Sequence, residues 1–257
     1  MTLTTVNTIT VAATVLLLAP ASAAFTQTVS VDAQSAPSWS PWAFEVGIGW
    51  DNGISGNVNS SGIGQLNNQA TVVTANSYED VYGTGLHLRF GASYAFNDTT
   101  EVTGNFTFQS LDADQVTPMG DVGVSNLYGQ YTDYQTLALD VGLRQYFDLS
   151  STMRFYGEGT IGLGFVDKTD IALVAPGVNF TGQANDFYDQ TSALALGANV
   201  GMLFQTGGRL GFFGQLGLRW MSGMDAVDDL EATGLDDIND KSSRWTMPFL
   251  TGVRLRF

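Results

Sequence analysis

The 257-residue sequence contains no cysteine and only one histidine, His87. Without cysteine, the chain can form neither a disulfide framework nor a thiolate metal site. Zinc sites use three or four cysteine, histidine or carboxylate ligands, and a single histidine does not supply a histidine-based set. We therefore expect no resident metal and no cofactor, and we assign no catalytic residue.

Long apolar runs are also missing from most of the chain. Beyond residue 23 there is no stretch of about 18 apolar residues, which excludes membrane-spanning helices. Residues 11–20 form a short apolar run that is followed by Ala21, Ser22 and Ala23, a pattern typical of a signal-peptide cleavage site. The predicted organisation is a signal peptide, a periplasmic N-terminal segment and one β-barrel domain, over residues 1–23, 24–41 and 42–257.

Charge is sparse and unbalanced. Only 14% of the residues are charged, and 25 Asp and Glu stand against 10 Lys and Arg, which gives a net charge of −15. Nucleic-acid binding depends on clustered basic residues that neutralise phosphates, and this chain has few of them. We expect no nucleic-acid partner.

What the sequence does contain is alternation. Apolar residues recur at every second position in eight segments bounded by turn signals: 42–51, 85–96, 101–111, 136–147, 153–166, 193–205, 210–222 and 244–257. Three connections are short, and four are long, near residues 52–84, 112–135, 167–192 and 223–243. The pattern predicts an all-β fold, a transmembrane antiparallel up-and-down barrel of eight strands with short periplasmic turns and four long extracellular loops.

Aromatic residues sort to the two ends of these segments. Threading the strands up and down places one set near the outer rim, namely Trp50, Phe165, Trp220 and Trp245. The other set lies near the periplasmic rim and includes Phe96, Phe147, Phe155 and Phe212. Two aromatic belts are expected at the two interfaces of a membrane. A soluble barrel with an apolar lumen is the opposing interpretation, but the polar face is too sparsely charged to coat a soluble surface.

The non-apolar face carries charges of both signs. A charge enclosed in a narrow barrel needs a partner, so we predict an interior polar network. Its predicted members are Glu45, His87, Arg89, Glu101, Asp140, Arg144, Glu158, Arg219 and Arg254. Ten glycines also fall on this face, and they permit two interpretations. They make room for large inward side chains, or they leave a thin water-filled path.

The four long loops hold the whole charge excess, since they contain seventeen acidic residues and two lysines. Residues 225–240 form the densest acidic run. Its spacing does not match an EF-hand loop, and divalent cations shared with lipopolysaccharide phosphates are the partners that we expect there. The first loop, rich in Asn, Gly and Ser, is expected to be mobile.

These segments, the run over residues 139–147 and the terminal aromatic Phe257 resemble the small eight-stranded bacterial outer-membrane β-barrel superfamily, which includes the OmpA transmembrane domain, OmpX, OmpW and opacity-type proteins. The resemblance implies a location in the outer membrane of a Gram-negative bacterium, in contact with lipid and lipopolysaccharide. It also implies insertion by the barrel assembly machinery, with Phe257 as the assembly signal. We expect a monomer.

The resemblance implies a non-enzymatic protein with a structural or surface-interaction role. A narrow channel or small-solute conduit of the OmpW type is the alternative, and the inward glycines are the feature that favours it. A lipid A-modifying enzyme is a third class. His87 is the one candidate for such chemistry, and its position in the alternation points it inward.

Overall fold

The computed structural model of the chain describes residues 40–113, 116–227, 234–239 and 243–257. The predicted signal peptide and almost all of the predicted periplasmic segment lie outside the described residues, as does part of the acidic run over residues 225–240. Within the described ranges, no helix is long and apolar enough to cross a bilayer.

The described residues form sixteen strands: β1 Trp42–Ser55, β2 Asn57–Asn59, β3 Gly62–Leu66, β4 Gln69–Val73, β5 Asn76–Ser77, β6 Gly85–Ala95, β7 Thr100–Leu111, β8 Thr117–Val122, β9 Ser125–Tyr131, β10 Tyr134–Asp148, β11 Met153–Val166, β12 Thr169–Ala175, β13 Phe180–Tyr188, β14 Thr191–Gln205, β15 Leu210–Met221 and β16 Arg244–Arg256. One short helix, α1 Tyr78–Val81, and two 3-10 turns, Pro176–Val178 and Asp236–Asn239, complete the structure.

Eight of these strands close into an antiparallel barrel in the order β1-β16-β15-β14-β11-β10-β7-β6. Each pairs with its neighbours in sequence, and β1 pairs with β16 to complete the ring. All eight predicted segments are barrel strands, and the largest difference is at β1, which continues to Ser55 rather than residue 51. The predicted eight-stranded antiparallel barrel is confirmed.

The two faces of each barrel strand differ as a period-two pattern requires. On β1, Phe44, Val46, Ile48 and Trp50 are between 47% and 55% exposed on the outside of the barrel. Glu45, between them, is 4% exposed inside it. The same order repeats around the ring, so the barrel has an apolar exterior and a polar interior.

The long loops form a second structure at one end of the barrel. Loop strands from three connections pair into a six-stranded sheet in the order β13-β12-β9-β8-β4-β3, and β2 pairs with β5. We call this assembly the cap: β2 to β5, α1, β8, β9, β12, β13 and the turn Asp236–Asn239. Asn67 and Asn68 adopt left-handed backbone angles, with φ of 52° and 60°, which suits the tight hairpin between β3 and β4.

The first loop contains four short strands, β2 to β5, and the helix α1. Its strands β3 and β4 are too short to form a stable hairpin alone. They are held because β4 pairs with β8 of the second loop, with Thr71 opposite Val122.

The cap has its own apolar core. Side chains from all four long loops meet in one cluster, which continues down to the upper rim of the barrel. The cap contributes Val58, Leu66, Val73, Met119, Val122, Leu127, Ile171, Leu173 and Ile238, and the barrel rim contributes Leu111, Tyr134, Val166, Ala195 and Met221. The long-loop end of the barrel is covered by this cluster.

Candidate functional site

The centre of the barrel lumen is organised around Glu45 on β1. Arg254 Nη1 lies 2.7 Å from Glu45 Oε1, and Arg89 Nη2 lies 3.0 Å from Glu45 Oε2. Arg144 donates to both oxygens of the same carboxylate. One acidic residue thus joins three arginines from β6, β10 and β16, strands that lie on different sides of the ring.

Glu158 on β11 is the second carboxylate of this network. It accepts hydrogen bonds from Thr103 Oγ1 at 2.6 Å and from Arg144 Nη2 at 3.3 Å, and Arg89 Nη1 lies 3.6 Å away. Arg144 and Arg89 are therefore shared between Glu45 and Glu158. Shared partners of this kind let two carboxylates compensate more than two arginines at the centre of the lumen.

Glu101 extends the network toward the short-turn end of the barrel. It pairs with Arg254, accepts a hydrogen bond from the Tyr146 hydroxyl at 3.0 Å, and lies 3.5 Å from Arg256 Nη2. The Arg144 guanidinium also stacks over the Tyr156 ring, 4.5 Å from its centroid. Aromatic rings and carboxylates together enclose these cations.

Toward the long-loop end, ionisable side chains form two further pairs. Arg219 Nη2 lies 3.4 Å from Asp140 Oδ1, and His87 Nδ1 lies 3.3 Å from Asp51 Oδ2. Gln109 also donates to Asp51 at 2.7 Å. Asp51 lies on the polar face in the sequence pattern, and here it is fully buried.

Arg244 is an interior residue that the alternation did not identify, because it is the first residue of β16 and lies at the edge of the pattern. It is 2% exposed, donates to Gln109 Oε1 at 2.8 Å, and lies 3.8 Å from the centroid of the Tyr134 ring. Tyr134 and Tyr78 belong to the apolar cluster of the cap. Arg244 therefore lies where the charged lumen meets the apolar cap.

The inward glycines make room for neighbouring side chains. A Cβ atom added to Gly201 would lie 2.4 Å from the Tyr156 ring, and one added to Gly252 would lie 2.7 Å from the Phe213 ring. A Cβ at Gly164 would lie 2.3 Å from Met221 Cε. Of the two interpretations of these glycines, the structure favours the filled lumen.

The lumen retains a small polar cavity. It has a volume of about 30 Å³, and its lining includes His87, Arg89, Asp140, Gln215 and Arg219. A space of this size holds a water molecule or two. Five buried side chains form a second cluster in the lumen: Tyr146, Tyr156, Leu203, Phe213 and Leu250.

The predicted aromatic belts lie on the outside of the barrel. At the long-loop rim, Trp50 stacks on Phe249 with centroids 4.7 Å apart, and Trp220 is paired with Trp245 across β15 and β16. Phe165 is 46% exposed at the end of β11. At the short-turn rim the exposed rings are Phe96, Phe147, Phe155, Phe212 and Phe257.

The buried side chain of Asn59 ties two loops of the cap together. Asn59 on β2 accepts hydrogen bonds from Asn76 Nδ2 at 3.0 Å and from the Tyr131 hydroxyl at 2.8 Å, and it donates to the Thr74 carbonyl at 2.7 Å. Burial raises the pKa of Tyr131 well above its ordinary value, so its hydroxyl stays a donor. Asn59 thus joins the first loop to the second.

His87, the candidate for catalysis, lies inside the barrel. His87 is 3% exposed inside the barrel, against Asp51, and does not contact the lipid-facing surface. Among residues 40–113, 116–227, 234–239 and 243–257, no group of three or more His, Asp or Glu side chains is arranged to hold a metal ion.

A closed antiparallel ring of eight strands, with an apolar exterior, two aromatic rims and an ion-paired interior, decides the kind of protein. It is a small eight-stranded transmembrane β-barrel. No protein-family model and no curated protein matches the sequence.

Solved outer-membrane barrels are similar in structure over most of this barrel. Neisserial surface protein A has 10% identity and a TM-score of 0.42, with 86% of this chain and all of that one covered. OprG from Pseudomonas aeruginosa has 13% identity and a TM-score of 0.41, with 85% and 97% covered. The outer membrane protease OmpT from Escherichia coli has 8% identity and a TM-score of 0.44, with 86% and 99% covered. Likeness at this level assigns no activity to the chain.

Proposed function

We propose that the protein is a non-enzymatic, non-conducting barrel of the Gram-negative outer membrane that holds the cap at the cell surface for interaction with other molecules. The observation that carries the proposal is the apolar cluster of the cap, which covers the long-loop end of a lumen already filled by ion pairs and aromatic rings. A solute would have to pass through both the apolar cluster of the cap and the filled lumen.

The charge distribution of the cap supports a surface role. Exposed acidic residues lie just beyond the ends of the barrel strands, where lipopolysaccharide phosphates would lie: Glu79, Asp80, Asp112, Asp133, Asp167, Asp189 and Asp225. We call these the rim acids. The tips of the β3–β4, β8–β9 and β12–β13 hairpins, at residues 67–68, 123–124 and 176–179, carry no charge. The rim would meet anionic lipid through divalent cations, and the uncharged tips would face the partner.

Cysteine labelling tests where the cap lies, because the chain has no cysteine of its own. Val124, at the β8–β9 tip, is fully exposed, and Leu149, in the short β10–β11 turn, is 61% exposed. On intact cells we expect a membrane-impermeant maleimide to label Val124→Cys and not Leu149→Cys. Labelling of Leu149→Cys alone would place the cap in the periplasm and contradict the proposal.

Planar-bilayer recording tests the filled lumen. We expect no conductance steps from refolded protein whose insertion is verified by one-sided labelling of Val124→Cys. Discrete steps from the same preparation would instead support the narrow channel of the OmpW type.

The proposed role of the rim acids has its own test. In bilayers containing lipopolysaccharide, Mg²⁺ should raise the unfolding temperature of the wild type more than that of a variant with Asp112, Asp133 and Asp167 changed to Asn. An equal Mg²⁺ effect on both proteins would remove these residues from the proposal. Export through residues 1–23 and assembly through Phe257 are further parts of the proposal, tested by deletion of each.

A further inference from the structure

A second cavity lies at the short-turn end of the lumen, far from the cap. It has a volume of about 130 Å³ and is formed by the turn between β14 and β15 together with the end of β16. Three of its lining residues are arginines, Arg209, Arg254 and Arg256, and none is acidic. We call this cavity the vestibule. This concentration of positive charge stands out in a chain whose net charge is −15.

Arg254 and Arg256 point into the lumen mouth rather than to lipid, and Arg209 lines the same cavity. Leu210 and Leu255 are paired neighbours on β15 and β16 and are 41% and 42% exposed on the outside of the barrel. Side chains alternate along a strand, so Arg254 and Arg256, on either side of Leu255 in β16, face inward. The vestibule therefore opens to the aqueous phase at the short-turn end.

Two of the three guanidinium groups have donors to spare. Arg254 is committed to Glu45 and Glu101. Arg256 has only a long contact with Glu101, at 3.5 Å, because that carboxylate already binds Arg254. Arg209 forms no ion pair with any described residue, and its side chain is exposed.

Arg209 and Arg256 also stand directly opposite each other. The Arg256 N–H donates to the Arg209 carbonyl at 2.8 Å, one position beyond the Leu210–Leu255 pair. Like charges at opposing positions on neighbouring strands repel each other and destabilise the pair. An anion between the two side chains would remove that repulsion.

The adjacent turn leaves the approach open. Gly207 has a φ of +79°, which favours glycine, and a Cβ added there would meet no atom within 4 Å. A Cβ at Gly208 would meet only Thr206 Oγ1, at 4.0 Å. Guanidinium groups bind the oxygens of carboxylates and phosphates through two parallel hydrogen bonds.

We infer that the vestibule is a binding site for a small oxyanion, a carboxylate or phosphate group that arrives from the aqueous phase on the periplasmic side. Arg209 and Arg256 bind the anion, and Arg254 supplies positive charge behind them. This site lies at the opposite end of the barrel from the cap and does not depend on the cap's proposed role, but its assignment to the periplasmic side rests on the proposed orientation.

The test is a titration of refolded protein in an uncharged maltoside detergent with inorganic phosphate, and separately with acetate, at constant ionic strength. Calorimetry and the side-chain Nε–Hε signals of the arginines report binding. We expect saturable binding that is weakened about tenfold or more in both Arg209→Gln and Arg256→Gln. Lys168→Gln, an exposed base in the third loop, is the matched control and should bind like the wild type.

Three results would overturn the inference: no saturable binding of either anion, equal affinity in Arg209→Gln and wild type, or an equal loss in Lys168→Gln. Heat-dependent gel mobility verifies that each variant is folded. A second arm identifies the source of the anion by comparing phosphatidylcholine discs with phosphatidylglycerol discs. Equal phosphate affinity in the two supports an aqueous ligand. A loss in phosphatidylglycerol that disappears in Arg209→Gln would mean that a lipid headgroup occupies the site, and would overturn the aqueous source.

Discussion

The barrel and the cap bury opposite kinds of side chain. Inside the barrel, Glu45 is 4% exposed, and its neighbour Val46 is 47% exposed outside. Inside the cap, Leu127 is fully buried, and its neighbour Asn126 is exposed. Apolar side chains face lipid in one region and are removed from water in the other. Ion pairs and hydrogen bonds therefore hold the barrel interior, whereas apolar burial holds the cap, and the two regions should respond differently to the same kind of damage.

The largest effect is expected in the barrel, from Glu45→Gln. Three arginines would lose their shared carboxylate, and breaking a buried pair on one side costs about 3–5 kcal/mol. Asp148→Asn is the control, because the Asp148 side chain is 64% exposed in its ion pair with Arg154. Exposed ion pairs contribute about 1 kcal/mol or less to stability. Urea unfolding in detergent measures both. Equal losses would show that the lumen network does not stabilise the barrel.

Leu127→Ala tests the cap. Removing a fully buried leucine costs about 2–5 kcal/mol. We expect the loss to be local: proteolysis within the cap becomes faster, while the heat-dependent gel mobility of the barrel is unchanged. Val124→Ala, at a fully exposed position, is the matched control. Loss of the folded-barrel mobility in Leu127→Ala would show that the two regions unfold together.

Gly162→Ala and Gly157→Ala compare the inner and outer faces of β11. A Cβ at Gly162 would lie 2.1 Å from the Leu139 carbonyl oxygen and 2.5 Å from Asp140 Oδ1, whereas a Cβ at Gly157 would meet no atom within 4 Å. We expect Gly162→Ala to cost about 1–3 kcal/mol, as overpacking does. Gly157→Ala should be neutral or slightly stabilising in the same unfolding measurement. The reverse order would contradict a filled lumen.

The smallest effect is expected at the start of α1 in the cap. The Ser77 N–H and hydroxyl donate to Asp80 Oδ2 at 2.9 and 2.7 Å, and these bonds lower the pKa of the Asp80 carboxyl. A lowered folded-state pKa gives stability that is present above the ordinary pKa, about 3.8, and is lost as pH falls through the folded value. Ser77→Ala should cost about 1 kcal/mol.

Amide exchange in the first loop measures that change. In the wild type, protection of the α1 amides should decrease as the pH is lowered from about 5 toward 2. In Ser77→Ala, protection should already be weak at the higher pH and change little. An unaltered pH profile in the variant would exclude Asp80 as the titrating group.

The barrel could be predicted from sequence because each strand is long and has one lipid-facing side. On β1, Phe44, Val46, Ile48 and Trp50 alternate with Glu45, Gly47 and Gly49. This one local pattern predicts the strand, its lipid-facing side and its inward-facing side. The presence of charges inside was predictable for the same reason. The partners of these charges could not be predicted, because Glu45 and Arg254 are 209 positions apart and their contact depends on how the ring closes.

The cap could not be predicted from local pattern. Its strands are short, and β4, β8, β9 and β12 find their partners in other loops. The Asn-rich composition of the first loop does not show that Asn67 and Asn68 form a hairpin turn or that Asn59 joins two loops. Arg244 was missed because it is the first residue of β16, so the alternation can be followed only on its C-terminal side.

The pairing of β1 with β16, which we call the seam, has a consequence for assembly. These are the first and last of the eight barrel strands in chain order, and the central carboxylate and one of its arginines lie on opposite sides of the seam. Until the two strands meet, Arg254 lacks its carboxylate partners Glu45 on β1 and Glu101 on β7, and a charge without its partner is costly away from water. A barrel in which β1 and β16 are not yet paired is therefore less stable in the membrane core than the closed ring. We expect the pairing of β1 with β16 to be a late step of assembly, which favours complete rings over partly inserted ones.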